Sequence, residues 1–198
     1  MSEGFIFSSR PRKLTTPKKL VILDRDGVIN YDSDAFIKSP DEWVPIPGSL
    51  EAIVRLNQSG YHVVVASNQS AIGRGLFNMA TLNEIHKKMN HELAALGGQV
   101  AAIFFCPHTP ADHCDCRKPK LGLFIQIIQR FQIDSASTPM VGDSQHDLQA
   151  ALALGLRRNL VLTGKGSKTL GTGNLPVGTT VYSDLHAFVL DFCTTVGN

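Results

Sequence analysis

No run of apolar residues in this 198-residue chain approaches the length of a bilayer-spanning helix. The first residues also lack the apolar stretch that opens a secretory leader, so a cytoplasmic location is the expectation and no membrane is expected as a partner. Net charge is nearly absent, at +2. So small an excess gives no electrostatic grip on nucleic acid. Its one local concentration, Arg10, Arg12, Lys13, Lys18 and Lys19, reads as a solvated leader. There is no internal repeat, no second compact segment and no coiled-coil heptad, which leaves a monomer as the simplest expectation. What is present is ordinary: 43% hydrophobic and 18% charged residues, in a chain long enough to bury a core.

Residues 1–17, rich in Ser, Pro, Thr and basic residues, read as a flexible N-terminal arm. Residues 18–198 read as one domain. LVILD at 20–24 is a short continuous apolar run, the pattern of a strand buried on both faces. YHVVVAS at 61–67, VAAIFFC at 100–106, TPMVGD at 138–143 and NLVLTG at 159–164 repeat that pattern, and a short strand is expected near Thr180. Helical spacing fills the intervals at 49–60, 81–96, 121–131 and 146–154, with a last helix from Asp184 to Cys193. A glycine-rich connection is expected over 164–178. Alternating apolar strands and helices predict an α/β fold with a doubly wound, mainly parallel sheet, Rossmann-like.

Ligands of such sheets bind beyond the carboxyl ends of the strands. Asp24-Arg25-Asp26-Gly27 follows the first strand and Ser67-Asn68-Gln69-Ser70 the second. Gly142-Asp143-Ser144 follows the fourth, with Asp147 on the next helix, and the loop after the third brings Arg117 and Lys118. Asp24 and Asp26, two apart in extended chain, share a face, and two carboxylates there call for a cation. With Asp143 they make an oxygen-rich site suited to magnesium. The third loop also holds Cys106, His108, Cys114 and Cys116. Three of the four cysteines within eleven residues, beside a histidine, match a closed tetrahedral zinc site that is structural. His113 competes for the histidine position, though its place next to Cys114 is awkward. Cys193 reads as a small core residue.

LDRDGVIN, SNQS, the lysine of CRKP and VGDSQHD together resemble the four motifs of haloacid-dehalogenase-type phosphatases, over residues 20 to about 165. CPH, CDCRKP and DRDGVIN resemble more narrowly the D-glycero-D-manno-heptose-1,7-bisphosphate 7-phosphatases, in a group that also holds histidinol-phosphate phosphatases. The resemblance implies a core sheet with loop inserts, here a zinc-bound loop at 106–118, and no large cap domain. It implies phosphoric monoester hydrolysis on a small phosphorylated sugar, within heptose precursor synthesis for the lipopolysaccharide of the cell envelope. It makes Asp24 the nucleophile and Asp26 the acid and base. Magnesium is implied on Asp24, Asp143 and the main-chain carbonyl of Asp26. Ser67 and Lys118 would hold the phosphoryl group, with Asn68 beside Ser67. Asp147 would orient Lys118 or the water shell of the metal. Arg117 would read the sugar end or a second phosphate, while Asp32, Ser33, Asp34, Ala35, Gln69 and Ser70 would meet hydroxyls. Two departures stand out: Ser67 where relatives often carry threonine, and Ser144 where some carry lysine. Histidinol phosphate remains an open substrate, and a receiver-like module phosphorylated on Asp24 without turnover remains an open class.

Overall fold

The computed structural model describes residues 19–196; the arm expected over 1–17 lies outside them. Among the described residues, six strands form one parallel sheet: β1 (Leu20–Leu23), β2 (His62–Asn68), β3 (Ala102–Cys106), β4 (Pro139–Gly142), β5 (Arg157–Val161) and β6 (Thr179–Tyr182). Their spatial order is β3-β2-β1-β4-β5-β6. The α-helices of the same span are α1 (Ser49–Gln58), α2 (Ser70–Gly73), α3 (Met79–Ala95), α4 (Gly122–Phe131), α5 (Gln145–Ala153), α6 (Gly166–Gly171) and α7 (Leu185–Val196).

Period-two alternation along β1 decides how the layers form. Val21 and Leu23 join a core with Ile53 of α1, Met89 of α3 and Phe188 of α7. Leu20 and Ile22 point the other way, into a core with Phe124 and Ile127 of α4 and Ala150 of α5. All four β1 residues are buried, as strands covered on both faces must be. The chain winds outward from β1 to β3, then crosses back to β4. Hence β1 and β4 are neighbours that lead their connections apart, and a crevice opens beyond their carboxyl ends.

A flap spanning 30–47 takes the place of a cap domain. Trp43, fully buried, anchors it, and Lys88 of α3 donates to the carbonyls of Pro40 and Trp43 at 2.9 Å.

Three features differ from the expectations. The fifth strand runs from Arg157 to Val161, not 159–164. Its apolar run extends past the ladder because Thr163 turns to donate its hydroxyl to the Gly27 carbonyl at 2.6 Å. The glycine-rich connection contains α6, which shows no apolar stripe in sequence. It is tied down by the buried Thr169 hydroxyl, which donates to the Asp143 carbonyl at 2.9 Å. The loop after β2 contains the single turn α2.

Candidate active site

The ends of β1, β2 and β4 and the loop after β3 surround one cavity of about 460 Å³. Asp24 follows β1 directly, its backbone N–H still donating to Val141 of β4 at 2.9 Å. Asp143 follows β4. One oxygen of each, and one of Asp147, lie within 4.8 Å of one another. Gly27 and Gly164 make this possible: a Cβ on either would collide with the Asp143 carboxylate, and both have positive φ.

Lys118 enters this cluster from the third loop, 2% exposed. Its ammonium lies 2.9 Å from Asp24 Oδ2, pairs with Asp147 Oδ1, and donates to the Ala66 carbonyl at 2.7 Å. Burial alone would lower its pKa, but the carboxylates of Asp147 and Asp24 reverse that and raise it. Lys118 therefore stays charged. Burial pushes Asp24 up to about 7; Lys118 opposes the shift and Asp147 adds to it. Burial, then Asp24 and Asp147, push Asp143 up to about 8. One ammonium does not balance three buried carboxylates. The donor set is all oxygen, close and anionic, and it fits a magnesium ion.

Asp26 is placed differently. Its carboxylate is not in the metal-type cluster and faces Arg25, Asn30 and Gln69. Burial would raise its pKa, but the Arg25 guanidinium and these donors outweigh burial and hold it below the usual value. Asp26 lines the cavity nonetheless, as do Ser67 and Ser70.

Two residues of the SNQS segment are committed elsewhere than expected. Asn68 locks the backbone of Lys118 from both sides: its Nδ2 donates to the Lys118 carbonyl at 3.1 Å, and its Oδ1 accepts from the Lys118 N–H at 3.0 Å. Gln69 donates to Asp26 at 2.8 Å and to Ser67 Oγ at 2.9 Å. Both side chains order the site and line the cavity; both amide hydrogens of Gln69 are committed, while Asn68 keeps one. Asp147 both pairs with Lys118 and accepts from the N–H and hydroxyl of Ser144, capping α5.

At the mouth stand Asp32, Ser33, Asp34 and Arg117. Ala35 does not line the cavity; the turn closed by Phe36 N–H to the Ser33 carbonyl at 2.9 Å carries it outward, and Phe36 and Ile37 face in. Sequence reasoning missed Lys165 and Lys168. Lys165 donates its N–H to Asp143 at 2.8 Å and its ammonium lies 3.0 Å from Asp32. Lys168, on α6, also lines the mouth. Their only signal was position in a loop following a strand.

Beside the cavity, the sulfurs of Cys106, Cys114 and Cys116 lie 3.1 to 3.5 Å apart. His108 Nδ1 stands 3.2 Å from Cys116 Sγ and 3.6 Å from Cys106 Sγ. Zinc–sulfur bonds of about 2.3 Å put tetrahedral corners about 3.8 Å apart, so the four side chains fit one zinc ion after a small expansion. His113 is not in this group.

Residues 115–187 match the model of the HAD-hydrolase-like family. The D-glycero-beta-D-manno-heptose-1,7-bisphosphate 7-phosphatase of Bordetella bronchiseptica is 59% identical over 169 residues, covering 85% of this chain and 94% of that protein. The chain belongs to the heptose-1,7-bisphosphate 7-phosphatase family. The Pseudomonas putida member of that family is 52% identical over 169 residues, 85% of this chain and 96% of its own. The crystal structure of the B. bronchiseptica D,D-heptose 1,7-bisphosphate phosphatase, complexed with magnesium and phosphate, superposes with a TM-score of 0.88 at 56% identity. It covers 89% of this chain and 99% of that one. The Burkholderia thailandensis family member gives 0.72 at 58% identity, covering 88% and 98%.

Proposed function

We propose that this chain is a magnesium-dependent phosphatase that removes the 7-phosphate of D-glycero-beta-D-manno-heptose 1,7-bisphosphate. The observation that carries this reading is the convergence of Asp24, Asp143 and Lys118 on one cavity, in a chain 59% identical to a phosphatase named for that substrate.

Asp24 attacks phosphorus, forming an aspartyl phosphate as the bond to the sugar oxygen breaks. Lys118, Ser67 and neighbouring amides take up charge on the phosphoryl oxygens. Asp26, which Arg25 holds ionised in the free protein, must take up a proton as substrate binds, and it gives that proton to the departing sugar oxygen. It then takes a proton from the water that attacks the phosphoaspartate. Inorganic phosphate leaves, and Asp24 returns as a carboxylate while Asp26 regains its proton. Asp24, Asp143 and the Asp26 carbonyl would hold a magnesium ion, which would supply the positive charge that favours ionised Asp24 and screens the phosphoryl oxygens. Zinc held by Cys106, His108, Cys114 and Cys116 would supply structure, fixing the loop that carries Arg117 and Lys118.

The second phosphate lies at the far end of a seven-carbon sugar, so it falls at the mouth. Arg117 there can grip phosphate with two parallel donors. Lys165 and Lys168 also line the cavity and add charge there, offsetting the absence of a cation at Ser144. We further propose that the chain is monomeric and cytoplasmic.

The test is phosphate release from the alpha and beta bisphosphate anomers and from histidinol phosphate under identical magnesium. The beta bisphosphate should lead histidinol phosphate by at least about tenfold in kcat/KM, roughly 1.4 kcal/mol. Equal rates would remove the sugar assignment.

A further inference from the structure

Two ionisable groups beside the reactive centre take no part in the bond-making and proton transfers of hydrolysis. Arg25 is 1% exposed and His86 is 8% exposed. Arg25 stands between the two aspartates of the first motif. His86 is on the buried face of α3, outside every motif.

Their hydrogen bonds form one line. Arg25 Nη1 meets His86 Nε2 at 3.3 Å. A guanidinium does not give up its proton, so Nε2 is the acceptor and the neutral ring carries its proton on Nδ1. Burial, then the Arg25 charge, push His86 down to about 4, which keeps the ring neutral. On its other edge Arg25 grips Asp26: Nε reaches Oδ1 at 3.1 Å, and Nη2 reaches both oxygens at 2.9 Å. Arg25 Nη2 also donates to Gln69 Oε1 at 3.2 Å. Gln69 Nε2 returns to Asp26 Oδ2 at 2.8 Å and to Ser67 Oγ at 2.9 Å. Because Ser67 accepts from Gln69, its own hydrogen is left for a phosphoryl oxygen.

This arrangement determines where Asp26 can stand. Its carboxylate hangs on a planar fork, and a fork is fixed only if its outer N–H groups are also satisfied. Nη1 faces the buried His86. Without an acceptor there, a buried charged donor is left unpaired, and the guanidinium must rotate or draw water in. Rotation would carry Asp26 with it. Phe105, edge-on to the imidazole at 6.2 Å between ring centres, limits how far that ring can turn.

We infer that His86 is a positioning residue for proton transfer, acting through Arg25 to aim the Asp26 carboxyl at the leaving oxygen. The inference rests on the proposed role of Asp26 and adds to it a histidine far from it in sequence. Its effect must depend on the leaving group. A sugar alkoxide needs a proton as it departs; p-nitrophenolate does not.

The experiment measures kcat/KM, which reports steps through departure of the leaving group, for heptose bisphosphate and p-nitrophenyl phosphate. His86→Leu should lower the sugar value by at least about tenfold and the nitrophenyl value by less than about twofold. His86→Gln, which keeps an acceptor for Nη1, should recover the sugar value to within about threefold. His86→Asn, too short to reach Arg25, should behave as His86→Leu, and it decides the matter should the leucine variant not fold. Equal losses on both substrates mean a merely structural histidine and overturn the inference, as does no loss on either. Asp26→Asn is run alongside. If it too fails to separate the substrates, the role given to Asp26 is wrong; if it separates them and the His86 variants do not, only the inference fails.

Discussion

The carboxylate cluster and the cysteine–histidine loop lie side by side, yet they are held in opposite ways. Asp24 and Asp143 are 9% and 3% exposed, placed by strand ends that two hydrophobic cores already fix. The cluster has a stored cost, since three buried carboxylates repel and the Lys118 ammonium offsets only part of their charge. The loop has no core of its own. His108 is exposed, while Cys106 at the end of β3 is buried in the second core and the half-buried Cys114 and Cys116 rest only on its edge. A site built on a sheet keeps its geometry when its ion leaves; a site built from a loop depends on its ion.

The sharpest way to break that contrast is at Asp24. Asp24→Asn should lower kcat by more than about 10³-fold, over about 4 kcal/mol of transition-state stabilisation, because no neighbouring group is placed to carry the phosphoryl. Its thermal midpoint should hold or rise, since a like charge is removed. Substantial residual turnover would assign the nucleophile elsewhere. Lys118→Ala should also abolish activity, and in addition cost about 3–5 kcal/mol of stability in denaturant titration by leaving buried carboxylates unpaired. A stable variant would mean that water or a cation compensates those carboxylates.

Cys116→Ser, or zinc chelation, should act on the loop alone. Proteolysis between residues 107 and 117 should accelerate, and kcat should fall by about tenfold as Arg117 and Lys118 lose their anchor. Loss of the whole sheet on chelation would contradict this division between sheet and loop, as would metal analysis finding no tightly held zinc. Arg117→Ala should raise KM for the bisphosphate by about tenfold, and change it little for a heptose carrying only the 7-phosphate. Equal changes would place the second phosphate elsewhere.

The smallest effect is one of pH. Folding raises Asp24 from 3.8 to about 7 and Asp143 to about 8, so between those values the folded chain binds more protons than the unfolded one. For metal-free protein, these two groups make stability fall as pH rises from about 4 toward about 8. Magnesium stabilises the ionised pair, so the gain in thermal midpoint it gives should be larger at about pH 8 than at about pH 5. A gain independent of pH would show that these carboxyls do not hold the metal.

Strand positions were legible because a continuous apolar run that ends in Asp, Ser-Asn or Gly-Asp is rarely anything but a buried strand delivering polar groups to a site. Those same strand-end residues made the family and the fold class legible. Strand order was not, since parallel crossovers of similar length permit several orders. Nor were the duties of Asn68 and Gln69. A side-chain amide after a strand can serve a ligand or a backbone, and only the 50-residue separation that brings Asn68 against Lys118 decides between them. Arg25 escaped notice for a related reason. An arginine between two aspartates reads as solvated, and one of the partners it meets when buried, His86, is 61 residues away. Helix α6 lacks an apolar stripe, and a buried threonine hydroxyl holds it in place.

The proposed mechanism requires that the phosphoryl group reside for a time on Asp24. Rapid acid quench during turnover of heptose bisphosphate, followed by borohydride reduction and peptide mass spectrometry, tests this. Homoserine should appear at position 24 and nowhere else. Undiminished turnover with position 24 unmodified, or an adduct on another residue, would contradict it.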